Sequence, residues 1–283
     1  MEKALKKWWP LFILPTFAAF CVGFIWPFIQ GIYLSFCQFI TIDRVNFVGF
    51  SNYIKAFQDA SFGHSFWFTV AFAIVSTISI NVIGFLFALA LTQKFKGTNI
   101  FRTIFFMPNL IGGIVLGYIW NILINAVLSK LSLPLLALNT AAGYWGLIIL
   151  MCWQQIGYMM IIYIAGLQNV PGDLIHAAAI DGASKLQTLF KVKIPMVMSS
   201  ITVCLFLTIT NSFKLFDQNL SLTSGEPAHA TEMLALNIYN TFYARSGPQW
   251  KGIGQSKAVI FFIIVAVIVL IQLRITRSKE VQQ

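Results

Sequence analysis

Six stretches of this chain are apolar over roughly the length a helix needs to cross a hydrocarbon core of about 30 Å. They run near Leu11–Phe39, Phe66–Leu91, Ile104–Ile124, Tyr144–Gly166, Met196–Phe216 and Ala258–Leu273. Lipid offers no partner to a free N–H or C=O, so an open strand edge there is excluded and the stretches are predicted as helices. The expected fold is an all-α membrane protein with six transmembrane helices. Composition agrees. Hydrophobic residues make up 58% of the 283, and Asp, Glu, Lys and Arg only 10%, against roughly 25% charged in a soluble domain. So few charges cannot cover a water-facing surface. A soluble enzyme, a disordered chain and a nucleic-acid binder are excluded on that ground, although the net charge is +10.

The basic residues are unevenly placed. Segments 1–10, 92–102, 167–195 and 274–283 carry 12 Lys and Arg in 60 residues, including Lys3, Lys6, Lys7 and Lys94. Segments 40–65, 125–143 and 212–257 carry 7 in 91. The denser side is expected to be cytoplasmic, which puts both termini inside. The basic start resembles a signal peptide, but the apolar run is too long and no small-residue cleavage site follows, so the first helix reads as permanent. Trp8, Trp9, Trp120 and Trp250 fall near expected helix ends, as an interfacial belt requires. Gly113 and Gly117 form a small-xxx-small pair in the third helix that suits close packing. Cys21, Cys37, Cys152 and Cys204 all sit in apolar runs and read as small buried residues, with no disulfide or zinc spacing.

Chemistry that would power or catalyse is missing from the motifs. There is no phosphate-cradling G-x-x-x-x-G-K-[ST], no H-E-x-x-H and no G-x-S-x-G. His64, His176 and His229 fall in three separate loops, so no metal, catalytic or cofactor-binding residues are assigned. The spans lack the Asp, Glu or His that a proton- or cation-driven carrier uses. They offer neutral groups instead: Asn81, Asn109, Gln154, Gln155 and Asn211. Lys214 and Asp217 stand at the outer end of the fifth, on one face if the helix continues. A membrane-embedded enzyme is disfavoured for the same reason. The chain reads as a pathway without an engine.

The loop between the fourth and fifth helices is the most informative stretch. Pro171 and Gly172 interrupt the fourth helix, Asp173 is placed to cap a new one, and Leu174, Ile175, Ala177, Ala178 and Ile180 favour it. Gly182 is placed to close it in a left-handed conformation, and Pro195 starts the next span. The result is a short apolar helix off the membrane. It serves either as a partner's docking point or as a loop folded back on the bundle.

His176-Ala177-Ala178, then three residues, Gly182, nine residues, and Val192-Lys193-Ile194-Pro195 resemble the EAA loop of ABC-transporter permeases, with His176 where Glu is usual. Four further segments resemble the carbohydrate-uptake permeases of the maltose and glycerol-3-phosphate type: Phe47-Val-Gly-Phe-Ser-Asn-Tyr53, Phe101-Arg102-Thr-Ile-Phe-Phe-Met-Pro108, Lys214-Leu-Phe-Asp217 and Thr223-Ser-Gly-Glu-Pro227. Glu226 replaces a usual Gly.

The resemblance implies one permease domain over 1–283, with helix 1 peripheral, helices 2–6 as core and a cytoplasmic coupling loop at 167–195. It implies a bacterial cytoplasmic membrane location. The partners would be a related second permease, two ATPase subunits that use ATP and Mg, an extracytoplasmic solute-binding protein and a sugar, with no nucleic acid and no cofactor on this chain. His176, Ala177, Ala178, Asp181, Gly182, Ala183 and Phe190 would dock an ATPase. Gln154, Gln155, Tyr158, Asn211, Phe213 and Lys214 would line the substrate path, unless they serve as glue between helices. The outer loop 217–257 would meet the binding protein. Within it, Thr231 to Tyr243 forms either a surface helix or a packed lid. The alternatives are a permease for glycerol phosphate, an amino acid or phosphate, and a self-sufficient carrier.

Overall fold

The computed structural model describes residues 2–41, 44–93 and 96–280. Lys94 lies outside them, as do the side chains of Lys3, Lys6, Lys7 and Trp8. In chain order the elements are α1 (Glu2–Phe20), α2 (Trp26–Ser35), β1 (Cys37–Phe39), β2 (Val45–Phe47), α3 (Ser51–Gln58), α4 (Ala60–Leu91), α5 (Thr98–Phe106) and α6 (Gly113–Lys130). Then follow α7 (Thr140–Gln168), α8 (Gly172–Ile180), α9 (Lys185–Thr188), α10 (Ile194–Met196), α11 (Met198–Phe213), α12 (Asp217–Leu222), α13 (Leu234–Tyr239) and α14 (Gln249–Arg277).

Among the described residues five helical runs are long and apolar enough to span: Leu11–Ser35, Ala60–Leu91, Gly113–Lys130, Thr140–Gln168 and Gln249–Arg277. A sixth is reached only by joining Lys185–Met196 to Met198–Phe213, which are bent by 71°. The bend sits at Val197, whose backbone leaves the helical region (φ −95°, ψ 14°) two residues after Pro195. Proline removes a backbone donor and crowds the preceding turn. Pro195 therefore stands inside a bent approach and does not open a straight span, and the fifth helix proper is shorter than Met196–Phe216.

The other boundaries also shift for local reasons. The first span stops at Ser35, and Cys37–Phe39 pairs antiparallel with Val45–Phe47 instead of continuing the helix to Phe39. Within that span a π-turn at Cys21–Ile25 precedes Pro27, which cannot donate backward. The third span does not start at Ile104. That residue lies in α5, a 3₁₀ turn follows at Met107–Leu110 around Pro108, and the chain is extended at Ile111 and Gly112 before α6 begins. Trp120 consequently falls inside a helix, edge to face with Trp153 at 5.7 Å, and not at an interface end.

Backbone contacts divide the chain into two units, Met1–Ala60 with Ile238–Phe262 and Ser61–Asn237 with Ile263–Gln283. The hydrophobic core belongs to the second, where α7 is the most enclosed span and Leu147, Leu150, Met151, Met159 and Met160 are buried. Small residues let neighbours reach it. A Cβ at Gly157 would overlap the carbonyl of Phe105, so α5 approaches α7 backbone to backbone. Polar groups join the helices. Tyr163 donates to Asn81 Oδ1 at 2.6 Å, Asn81 Nδ2 donates to Thr208 at 2.9 Å, and Ser76 meets Ser212 at 3.0 Å, tying α4, α7 and α11 together. The Gly113/Gly117 pair is used as expected. A Cβ at Gly117 would overlap the Ser221 hydroxyl, and one at Gly113 would meet Asp217 Cβ at 2.8 Å, so α12 lies directly on α6. Gly117→Leu should cost about 1–3 kcal/mol by overpacking, read as a lower thermal midpoint of the purified protein.

The segment Thr231–Asn237 takes the packed alternative. Thr231, Glu232, Met233, Leu234, Leu236 and Asn237 are buried. Asn219 Oδ1 accepts from Met233 N–H at 2.9 Å, and Thr69 Oγ1 accepts from Leu234 N–H at 2.8 Å. In the first unit, Asn52 donates to the carbonyls of Ser35 at 3.0 Å and Cys37 at 2.8 Å, which pins α3 to the end of α2. Lys257 is wholly buried there. It donates to Asp59 and Thr241, each at 2.8 Å, while Arg245 meets the same Asp59 oxygen at 2.8 Å. The sixth helix thus starts at Gln249 and takes in Lys257, earlier than Ala258, because a carboxylate neutralises the charge.

Candidate functional site

Helix α8 forms as its residues dictate. Asp173 stands in its first turn, where a negative charge suits the helix dipole, but Pro171 occupies the cap position and no side chain caps it. The C-terminus closes on Gly182 at φ +76°. Gly182 N–H donates to Ala179 C=O at 3.1 Å and Ala183 N–H to Ala178 C=O at 2.9 Å, the two bonds of a Schellman motif. Ser184 and Gln187 then make a reciprocal capping box that starts α9. The S-x-x-Q spacing signalled it, and sequence reasoning passed over it.

These two closures hold the loop in one shape. They also aim it outward. Ile180 is 87% exposed and Leu186 67%, with Phe190 at 63% and Leu174 at 42%. His176, Ala177, Asp181 and Gly182 are exposed too, while Ala178 and Ala183 are half-buried. The main contacts of α8 are with the segment that follows it, through Lys193. The loop is therefore not folded back into the core, and Leu174, Ile180, Leu186 and Phe190 stay exposed.

The path candidates separate into groups. Gln154 is buried and bridges two elements, donating to Ile111 C=O at 3.1 Å and accepting from Gln218 Nε2 at 2.8 Å. Gln155 and Asn211 face each other across α7 and α11 at 3.5 Å, both half-buried. Tyr158 is half-buried near the Phe106 ring. Phe213 turns elsewhere, into an apolar cavity of about 320 Å³ with Val70, Ile74 and Ile268. Lys214 is exposed past the end of α11. The helix stops between Lys214 and Asp217, so they do not share a helix face.

Two polar features were missed. Gln218 on α12 completes the Gln154 bridge. Asn121 and Asn125 line an open cavity of about 610 Å³ with Ser221 and Glu226. Their four-residue spacing placed both on one helix face and was the available signal.

Comparison with known proteins bears on both regions. The family model described as "Binding-protein-dependent transport system inner membrane component" matches residues 80–279. The chain is 44% identical to the probable starch degradation products transport system permease protein AmyD of Thermoanaerobacterium thermosulfurigenes, over 97% of this chain and 96% of that one. It is 31% identical to the multiple sugar-binding transport system permease protein MsmF of Streptococcus mutans, over 99% of each. In fold it is similar to a chain from the crystal structure of a bacterial ABC transporter involved in the import of the acidic polysaccharide alginate, with TM-score 0.81, 20% identity and 98% of each chain covered. A multi-span helical chain with these matches belongs to the family of binding-protein-dependent transport system inner membrane components.

Proposed function

We propose that this chain is one permease half of an ABC importer for sugars or oligosaccharides, moved by ATPase subunits that grip α8. The observation that carries the reading is a short helix, closed at Gly182, that leaves Ile180 at its end uncovered, with Phe190 uncovered on the segment that follows α9. Exposed apolar anchors of this kind suit a partner's groove. His176, Ala177, Ala178, Asp181, Gly182 and Ala183 form the docking strip, with Ala residues permitting close approach. His176 leaves the strip without the usual carboxylate.

ATP and Mg belong to the partner subunits, and a binding protein would deliver sugar on the opposite face. The dense basic segments put both termini and α8 in the cytoplasm. A second permease would complete the pathway, with α4 to α14 as core and the first helix peripheral. No residue in the apolar window of that first helix is buried within this chain, which supports the peripheral role. Nucleotide-driven closure of the ATPases would draw α8 inward and bias the bundle between two states. The bend at Val197 links that lever to α11 and its amide Asn211.

The substrates for which these relatives are named, starch degradation products and multiple sugars, support sugar as cargo. Amides and aromatic rings at Gln155, Asn211 and Tyr158 suit hydroxyls and sugar faces. Asn211→Ala should lower sugar uptake several-fold while complex yield is unchanged. Gln154→Ala should also lower uptake, with a lower thermal midpoint because it holds Ile111 to Gln218. The deciding experiment is co-purification with the ATPase, second permease and binding protein, then ATP hydrolysis with and without sugar. Stimulation by a sugar-loaded binding protein is expected. Transport by this chain alone in liposomes would overturn the reading.

A further inference from the structure

Helix α3 has three distinct faces. Asn52 and Ala56 are buried, Asn52 by its bonds to Ser35 and Cys37 and by Ser256, whose hydroxyl donates to its carbonyl at 3.2 Å. Lys55 and Gln58 share a second, polar face and are exposed. Phe50, Ile54 and Phe57 follow at the i, i+4, i+7 spacing of a single stripe. They are 69%, 57% and 71% exposed, and Phe47, from β2, adds a further 68%-exposed ring. The stripe is fixed in direction, because the opposite face is locked and Phe36 holds Phe50 edge to face at 5.3 Å.

We infer that this stripe is an interfacial anchor, seated in the headgroup region of the leaflet on its own side of the membrane. Chain connectivity supplies the occupant. The first apolar span ends at Ser35, sixteen residues before α3 starts, and the next begins at Ala60, with only Asp59 between. A short helix joined by one residue to a membrane-spanning helix is held close to the bilayer surface. The preceding span likewise exposes apolar side chains, Ile29 at 55% and Tyr33 at 56%. The charge arrangement agrees, since Lys55 lies beside the stripe where its stem can run along the interface and its ammonium can reach phosphate. Such helices sink their apolar face about 5–10 Å into the boundary between headgroups and acyl chains. The anchor would set the height of the Asp59–Lys257 contact relative to the membrane. It requires only that the flanking helices span the bilayer, whatever the cargo.

The test uses the assembled importer in vesicles of phosphatidylethanolamine and phosphatidylglycerol. A nitroxide is attached through Phe57→Cys, and separately through Lys55→Cys, in a background where the four natural cysteines are alanine. Collision with oxygen, which concentrates in lipid, is compared with collision with a water-soluble nickel chelate. Position 57 is expected to show an oxygen-to-nickel ratio several-fold above position 55. A nickel-accessible position 57 would place the stripe in water. Shielding from both reagents would place it against another protein. Either result overturns the anchor. If the alanine background does not assemble, a photo-crosslinking residue at position 57 in otherwise natural protein gives the same discrimination. Phospholipid adducts support the anchor, whereas adducts to a protein subunit, or none while a control in the Ala60–Leu91 span reacts with lipid, count against it.

Discussion

Asp59→Asn is expected to be the most damaging single substitution in the chain, with a loss of about 3–5 kcal/mol as for other buried pairs broken from one side. The reason is Lys257. Its side chain is fully buried, 2.8 Å from the Asp59 carboxylate and 2.8 Å from the Thr241 hydroxyl, and Arg245 shares the same carboxylate oxygen. Without the Asp59 carboxylate a desolvated ammonium loses the anion that meets it at 2.8 Å, beside a second cation that shares the same oxygen. The native pair itself adds little net stability, since its attraction mostly offsets the desolvation of both ions. The double change Asp59→Asn with Lys257→Met should therefore recover most of the loss. Detergent-solubilised thermal unfolding of the three variants reads this directly. A single variant as stable as the parent would show that the pair is not buried in the folded protein. Failure of Lys257→Met to rescue would show that the damage does not come from the stranded charge.

Ile180→Asp should have the second-largest effect, this time on coupling. Ile180 is 87% exposed in the chain by itself, so the substitution should leave thermal stability within about 0.5 kcal/mol, as surface changes usually do. In the assembled importer it would put an unpaired carboxylate into an apolar groove. Loss of an anchoring side chain at an interface costs about 2 kcal/mol or more, roughly a thirty-fold weaker docking. Uptake and sugar-stimulated ATP hydrolysis should fall together, and the ATPase should wash off during purification. Gly182→Val should reach the same endpoint by another route. Its φ of +76° is a conformation that β-branched residues strongly resist, so the helix end would open. Intact coupling in both variants would remove α8 from the mechanism.

Much of the architecture was legible because lipid imposes a simple rule. Length and apolarity alone decide where a helix can cross: the fourth span came out within four residues of Thr140–Gln168, and the second ended at Leu91 as expected but starts six residues earlier, at Ala60. The end of α8 was legible because only glycine adopts the left-handed state cheaply, and Gly182 stood at the right place. Boundaries failed where proline or charge intervened. Pro108 and Gly112 delayed the third span to Gly113, and Pro195 preceded the bend at Val197. Of the path residues, the types could be read but their partners could not. Asn211 found Gln155, while Gln154 found Gln218, a residue 64 positions away.

Sequence alone determined that the chain is helical in a membrane, that α8 exists and ends at Gly182, and that Gly113 and Gly117 accept a close neighbour. Those properties follow from local dihedral preference, side-chain size and the absence of water in lipid, which act within a few residues. Tertiary structure alone decided that α12 is that neighbour, that Phe213 faces an apolar cavity away from the amides, and that Lys257 enters a spanning helix against Asp59. Those outcomes rest on desolvation and packing between residues up to 198 positions apart, and no local pattern encodes which distant group will complete a pair.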